Sequence, residues 1–156
     1  MNTDEGVQSI LREGIATESP WLLDSFDRVL RVNASRPKSP YSFEWLVQTA
    51  LATHLLRQTN VPISSVRVGL KEVKSTKKPD IAFRIGEASV ALQIKTVPSF
   101  NAHAYQMGDM VKKLNATHIY LLVVSYPHPN ASSATSDTLC TLTGPCGFLW
   151  RLRKIK

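Results

Sequence analysis

The stretch from His118 to Tyr126, HIYLLVVSY, constrains the fold more than any other part of the chain. It is an almost unbroken apolar run, rich in β-branched and aromatic residues and too short to span a membrane. It therefore reads as a central strand buried on both faces. A strand of that kind needs cover on each side of its sheet, and helices are the usual cover in an α/β domain. At 156 residues the chain suits a single such domain with a real core.

The segments around this strand supply the rest of the sheet and its cover. Residues 7–32 carry Leu22, Leu23, Phe26, Val29 and Leu30 at helical spacing, interrupted by Pro20, which predicts two short helices. The stretch NASRPKSP (33–40) reads as a linker. Ser42 suits the N-cap of a helix running from Phe43 to about Arg57, with Glu44 in its first turn. After Pro62 the pattern turns extended: ISSVRVGL (63–70) is a predicted strand and KEVKSTKKP a basic loop. DIAFRI and ASVALQIK follow, separated by Gly86-Glu87, a spacing that predicts a hairpin with a type II′ turn. Asn101–Leu114 reads as a helix, SYPHPNASSATSD as a loop, and Phe148–Leu152 as a last strand. The order helix, strand, strand, strand, helix, strand implies an α/β fold with a mixed sheet, entered at its end by a helical crossover.

Charge divides the chain unevenly. The net charge is +7, yet residues 1–35 hold six acids and three arginines, while the remainder holds sixteen bases and six acids. This predicts an acidic helical segment (1–35), serving as a homodimer or protein-partner docking element, and a basic α/β domain (36–156). The basic body favours a polyanionic partner, nucleic acid before a membrane surface, because no basic amphipathic helix stands out. No apolar run reaches the roughly 18 residues of a membrane helix, and the amino terminus lacks a basic stretch followed by an apolar one. A soluble, cytoplasmic protein is expected. Cys140 and Cys146 read as free thiols, and His54, His103, His118 and His128 lack metal-ligand spacing.

The hairpin brings chemistry together. A turn at Gly86-Glu87 pairs Ile85 with Ala88, Phe83 with Val90 and Ile81 with Leu92, apolar pairs on one face. The other face then carries Arg84, Gln93 and Lys95, with Asp80 opposite Gln93. A carboxylate and an amide carbonyl are hard oxygen donors suited to Mg²⁺, and a nearby lysine can hold a phosphate or a metal-bound water.

Glu44 on a helix, Pro79-Asp80 entering a strand, and Gln93-Ile94-Lys95 on the next strand together resemble the PD-(D/E)xK nuclease superfamily. The resemblance covers about residues 41–126 and implies a restriction-endonuclease-like αβββαβ core with a central mixed sheet flanked by helices. Gln93 departs from the usual acid and is similar to the QxK variant of Mrr-like enzymes and of some transposon endonuclease subunits, although the Gly-rich approach to the aspartate seen in Mrr-like enzymes is missing. The resemblance implies Asp80, Gln93 and Glu44 as metal ligands for Mg²⁺ or Mn²⁺. It also implies Lys95 as the group that orients water or stabilises charge on the phosphate. The expected activity is hydrolysis of phosphodiester bonds in nucleic acid, DNA before RNA. A catalytically weak or inactive nucleic-acid or protein binder is the alternative, and a small nuclease toxin a third reading. Lys71, Lys74, Lys77 and Lys78, with Arg84, Lys112 and Lys113, are candidate phosphate contacts; Arg151, Arg153, Lys154 and Lys156 are further ones. Tyr41 and Trp45 read as core or interface residues.

Overall fold

The computed structural model describes residues 2–33, 41–58, 63–68, 79–97, 115–125, 138–142 and 148–156. The first element is a helix, α1 (Thr3–Asn33), whose start is closed reciprocally. The Glu5 amide donates to the Asn2 side-chain oxygen at 2.8 Å and the Asn2 amide to a Glu5 carboxylate oxygen at 3.1 Å. This capping box satisfies two amides that a helix start otherwise leaves without partners.

Pro20 lies inside α1, where two separate helices were predicted. Its ring removes a backbone bond and costs about 3 kcal/mol. Against that, Leu11, Ile15 and Leu22 are each 1% exposed, and burying one such side chain is worth about 1.5–3 kcal/mol. Carrying the apolar stripe across the proline therefore costs less than breaking it. The Trp21 indole donates to the Glu18 carboxylate and braces the same turn.

The second helix, α2 (Tyr41–Arg57), packs against α1 on one side and against the sheet on another. It begins earlier than predicted, so Ser42 falls within its first turn and does not cap it. A Cβ placed on Gly14 would come within 2.9 Å of the buried His54 ring, so glycine is what allows the two helices this separation.

Six strands form one sheet: β1 (Ile63–Val68), β2 (Ile81–Ile85), β3 (Ala88–Val97), β4 (His118–Ser125), β5 (Thr138–Leu142) and β6 (Phe148–Lys154), in the spatial order β1-β2-β3-β4-β6-β5. β3 and β4 run parallel, and the other neighbours are antiparallel. This is the mixed α/β sheet expected from the sequence. The β2-β3 register pairs Ile81 with Leu92, Phe83 with Val90 and Ile85 with Ala88 as predicted, and Gly86 turns the chain at φ +57°, a conformation glycine adopts at little cost. The helix expected at 101–114 lies outside the described residues. β5 was not foreseen: TLCTL is short, follows a polar stretch, and gains its strand conformation from pairing with β6.

β4 is buried on both faces. Tyr120, Leu122 and Val124 join Leu51, Leu92 and Trp150 in the main core, while Ile119, Leu121 and Val123 face the other way. Val7, Ile10, Leu11, Ile15 and Leu22 of α1 belong to that same main core. The boundary expected at residue 35 therefore falls between two helices that share one interior. Asp4 ties α1 to the sheet, its carboxylate accepting from the Tyr120 hydroxyl of β4 and from the Lys154 ammonium of β6, the latter at 2.7 Å. The Asp4–Lys154 ion pair thus joins the acidic segment to the basic body. Among the described residues no helix is long and apolar enough to cross a membrane.

Candidate functional site

The end of the β2-β3 ladder creates the site. Alternation along β3 aims the amides of Val90 and Leu92 at β2, and those of Ile94 and Thr96 in the same direction. β2 starts only at Ile81, opposite Leu92, so Ile94 and Thr96 lie beyond the reach of that strand's backbone. Two carboxylates replace it. The Ile94 amide donates to Asp80 Oδ2 at 2.7 Å, and the Thr96 amide donates to Glu44 Oε1 at 3.1 Å. Asp80 therefore leaves the ladder and meets β3 through its side chain, where the sequence suggested a position directly across from Gln93.

Each group is placed by a different element. Asp80 directly precedes β2, Glu44 comes from the first turn of α2, and Gln93 and Lys95 belong to β3. Because Leu92 and Ile94 point into the main core, alternation turns Gln93 and Lys95 to the opposite face of the sheet. The carboxylates sit between, at the strand's edge. Gln48, one turn beyond Glu44 on α2, donates from its amide to the Asp80 carbonyl at 3.1 Å and holds the start of β2 against the helix. Sequence reasoning passed over Gln48, though its spacing of four from Glu44 puts both on one helix face.

Electrostatics bind these groups into one cluster. Burial, the largest influence, raises the Asp80 pKa, while the Ile94 amide and the Lys95 charge pull it down. Burial likewise raises Glu44, against the Lys95 charge and the Thr96 amide, and the Asp80 charge adds to the rise. Two partly buried carboxylates with one nearby ammonium are a charge arrangement that a further cation would stabilise.

Mg²⁺ takes near-octahedral oxygen coordination, commonly from one or two carboxylates with water and substrate phosphates completing the set. Asp80, Glu44 and the Gln93 carbonyl match that chemistry. Among the described residues no group of three or more His, Cys, Asp or Glu side chains is arranged to hold a metal, so a site here relies on two carboxylates and neutral oxygens. His54 is buried and bonded to Gln58 at 2.9 Å, and His118 contacts Thr117 at 3.0 Å.

The remaining expected contacts separate into groups. Arg84 is exposed and donates from Nη2 to the Glu87 carbonyl at 2.9 Å. Lys154 pairs with Asp4. Lys71, Lys74, Lys77, Lys78, Lys112 and Lys113 lie outside the described residues. Trp45, expected in a core or interface, is 64% exposed beside Glu44, because Val47, Ala50, Leu51 and Leu55 take the inward stripe of α2. No protein-family model, curated protein or solved structure matches this chain.

Proposed function

We propose that this protein is a divalent-metal-dependent nuclease of the restriction-endonuclease-like type, acting in the cytoplasm on phosphodiester bonds of nucleic acid, DNA before RNA. The observation that supports it is the convergence of Glu44, Asp80 and Lys95 where the β2-β3 ladder ends, with burial raising both carboxylates. Such a cluster costs folding stability in the absence of a ligand, which is the usual mark of a functional site. Mg²⁺ or Mn²⁺, when bound, supplies Lewis-acid polarisation of a phosphoryl oxygen and a more acidic water. Asp80 and Glu44 would hold it, and Gln93 would offer a neutral third oxygen. Lys95 holds positive charge beside the scissile phosphate, orienting the attacking water or stabilising developing charge. Gln48 keeps Asp80 in place.

One observation favours a second reading. Asp80 and Glu44 each spend an oxygen on a β3 amide, a purely structural use that an inactive nucleic-acid or protein binder would retain. Incubation of the protein with plasmid, single-stranded DNA and RNA, with Mg²⁺ or Mn²⁺ and then with EDTA, separates the two. The nuclease reading requires cleavage that EDTA stops and that Asp80→Asn abolishes; that substitution keeps an oxygen for the Ile94 amide and so preserves the fold. Full activity in folded Asp80→Asn refutes the site. No metal binding by calorimetry in the wild type establishes the second reading.

A further inference from the structure

On the sheet face that carries Gln93 and Lys95, a cavity of about 280 Å³ lies over β1, β2 and β3. Its floor is made of small side chains, Ala82, Ala91 and Ala116, and its flanks include Arg67 and Arg84. Arg67 sits across from Ala82 in the β1-β2 ladder, and Arg84 is two residues along β2 from Ala82. The two arginines therefore lie close together on one face of the sheet, with a shift of register in β1 between Ser64, which pairs with Arg84, and Arg67. Among the described residues no carboxylate lines the cavity. Two like charges held on one face beside alanines repel each other and oppose folding slightly.

The rim is fixed. The Thr117 amide donates to Ser89 Oγ at 2.9 Å, and the Ser89 amide donates to Thr117 Oγ1 at 2.9 Å, locking the entry to β4 against β3 beside Asn115. Arg84 is steadied by its bond to the Glu87 carbonyl, which uses one of its five N–H donors and leaves the rest of the fork for a ligand. The volume is below the range of drug-sized sites. It suits one phosphate group with part of its sugar.

Position supplies the last element. Pro79, which also lines the cavity, immediately precedes Asp80, and Ala91 is two residues, about 7 Å, before Gln93 along β3. We infer that the Arg67–Arg84 cavity is a phosphate subsite that seats a backbone phosphate of a nucleic-acid strand next to the one held at Asp80, Gln93 and Lys95. Arginine is the residue suited to this because its planar fork engages two phosphate oxygens at once. The subsite rests on the phosphodiester reading for its substrate, but it needs no metal.

That independence allows a clean test. Affinity for a fluorescent single-stranded 12-mer of DNA is measured by anisotropy in EDTA, over a range of salt, for the full-length wild type and for Arg67→Gln, Arg84→Gln, Arg67→Lys and Arg57→Gln. The subsite requires each of the two glutamine variants to weaken binding about tenfold and to reduce the salt slope by about 0.7. Arg67→Lys, which keeps the charge and loses the fork, should stay at least threefold weaker than wild type. Arg57→Gln removes an equal charge from α2 and should change affinity less than twofold. Full recovery in Arg67→Lys, or an equal loss in Arg57→Gln, overturns the subsite in favour of diffuse attraction. Inorganic phosphate should compete only at concentrations at least a hundredfold above the 12-mer; equal potency would make the cavity a site for free anions and overturn the strand assignment. Failure of the nuclease reading appears differently, as absent cleavage with Mg²⁺ while the two glutamine variants still bind the 12-mer about tenfold more weakly.

Discussion

Replacing Asp4 by Ala tests whether the acidic amino-terminal helix is integral to the domain. Tyr120 is 1% exposed, and its hydroxyl donates to Asp4. Without that acceptor a buried donor is left unsatisfied, at a cost of about 1–3 kcal/mol. The Lys154–Asp4 pair adds at most about 1 kcal/mol, because the Lys154 side chain is 51% exposed. Asp4→Ala should therefore destabilise by about 1–4 kcal/mol in total. For a chain of this size that lowers Tm by about 2–16 °C. Tyr120→Phe should cost only about 1 kcal/mol, since the partly exposed Asp4 can exchange the lost bond for water. In the double variant no buried hydroxyl remains to be satisfied, so the two losses should fall short of additivity by about 1–2 kcal/mol. The pH dependence gives a second check. Bonds from Lys154 and then Tyr120 hold the Asp4 pKa below its ordinary value. The stability they confer is present above the unfolded carboxylate value of about 4 and is lost as pH falls through the folded value. Asp4→Ala should flatten that acid limb. Urea unfolding of the four proteins at pH 7, repeated from pH 2 to 6, measures all of this. A loss under about 0.5 kcal/mol with an additive cycle would refute the reasoning.

Gly14→Ala should lower stability even though alanine is the better helix former by about 1 kcal/mol, because the new methyl group lies 2.9 Å from the His54 ring and overpacking costs about 1–3 kcal/mol; a raised Tm would show that the helices can separate freely. Burial raises the Asp80 and Glu44 pKa values, so the folded state holds their protons longer than the unfolded state and stability falls as pH rises from about 4 through the folded values. Glu44→Gln should therefore raise Tm at pH 7 in EDTA, while the wild type should gain Tm from Mg²⁺ and the variant should gain less; thermal scans with and without the ion decide it. Gln93→Glu keeps an oxygen and adds charge, so calorimetry should give tighter Mg²⁺ binding with cleavage retained. Lys95→Ala should lower cleavage at least about tenfold with metal affinity nearly unchanged, and unchanged cleavage in that variant would remove Lys95 from the chemistry.

The parts of this protein legible in its sequence are those governed by local periodicity. The apolar run of β4 announced a strand covered on both sides, and Gly86-Glu87 with its alternating flanks set the hairpin register, because a slip of one residue would have exposed every apolar side chain of β2 and β3. That register in turn places Asp80 near Gln93 and Lys95. The contacts that complete the cluster depend on residues far apart in the chain, and no local pattern encodes them. Thr96 is 52 residues from its Glu44 partner, Asp80 is 32 from Gln48, and Asp4 is 116 from Tyr120. Pro20 and the linker-like 33–40 stretch pointed to broken helices and a separate amino-terminal unit, which local chemistry alone would favour. At Pro20 tertiary burial reversed this, since the apolar area that α1 covers with α2 and the sheet outweighs one lost backbone bond. The sequence by itself thus determined the strand order of the hairpin and the residue types available for chemistry. Only the packed structure decided that β2 starts too late to pair with Ile94 and Thr96, and the amides of those two residues, by donating to Asp80 and Glu44, bring both carboxylates to the same edge of β3.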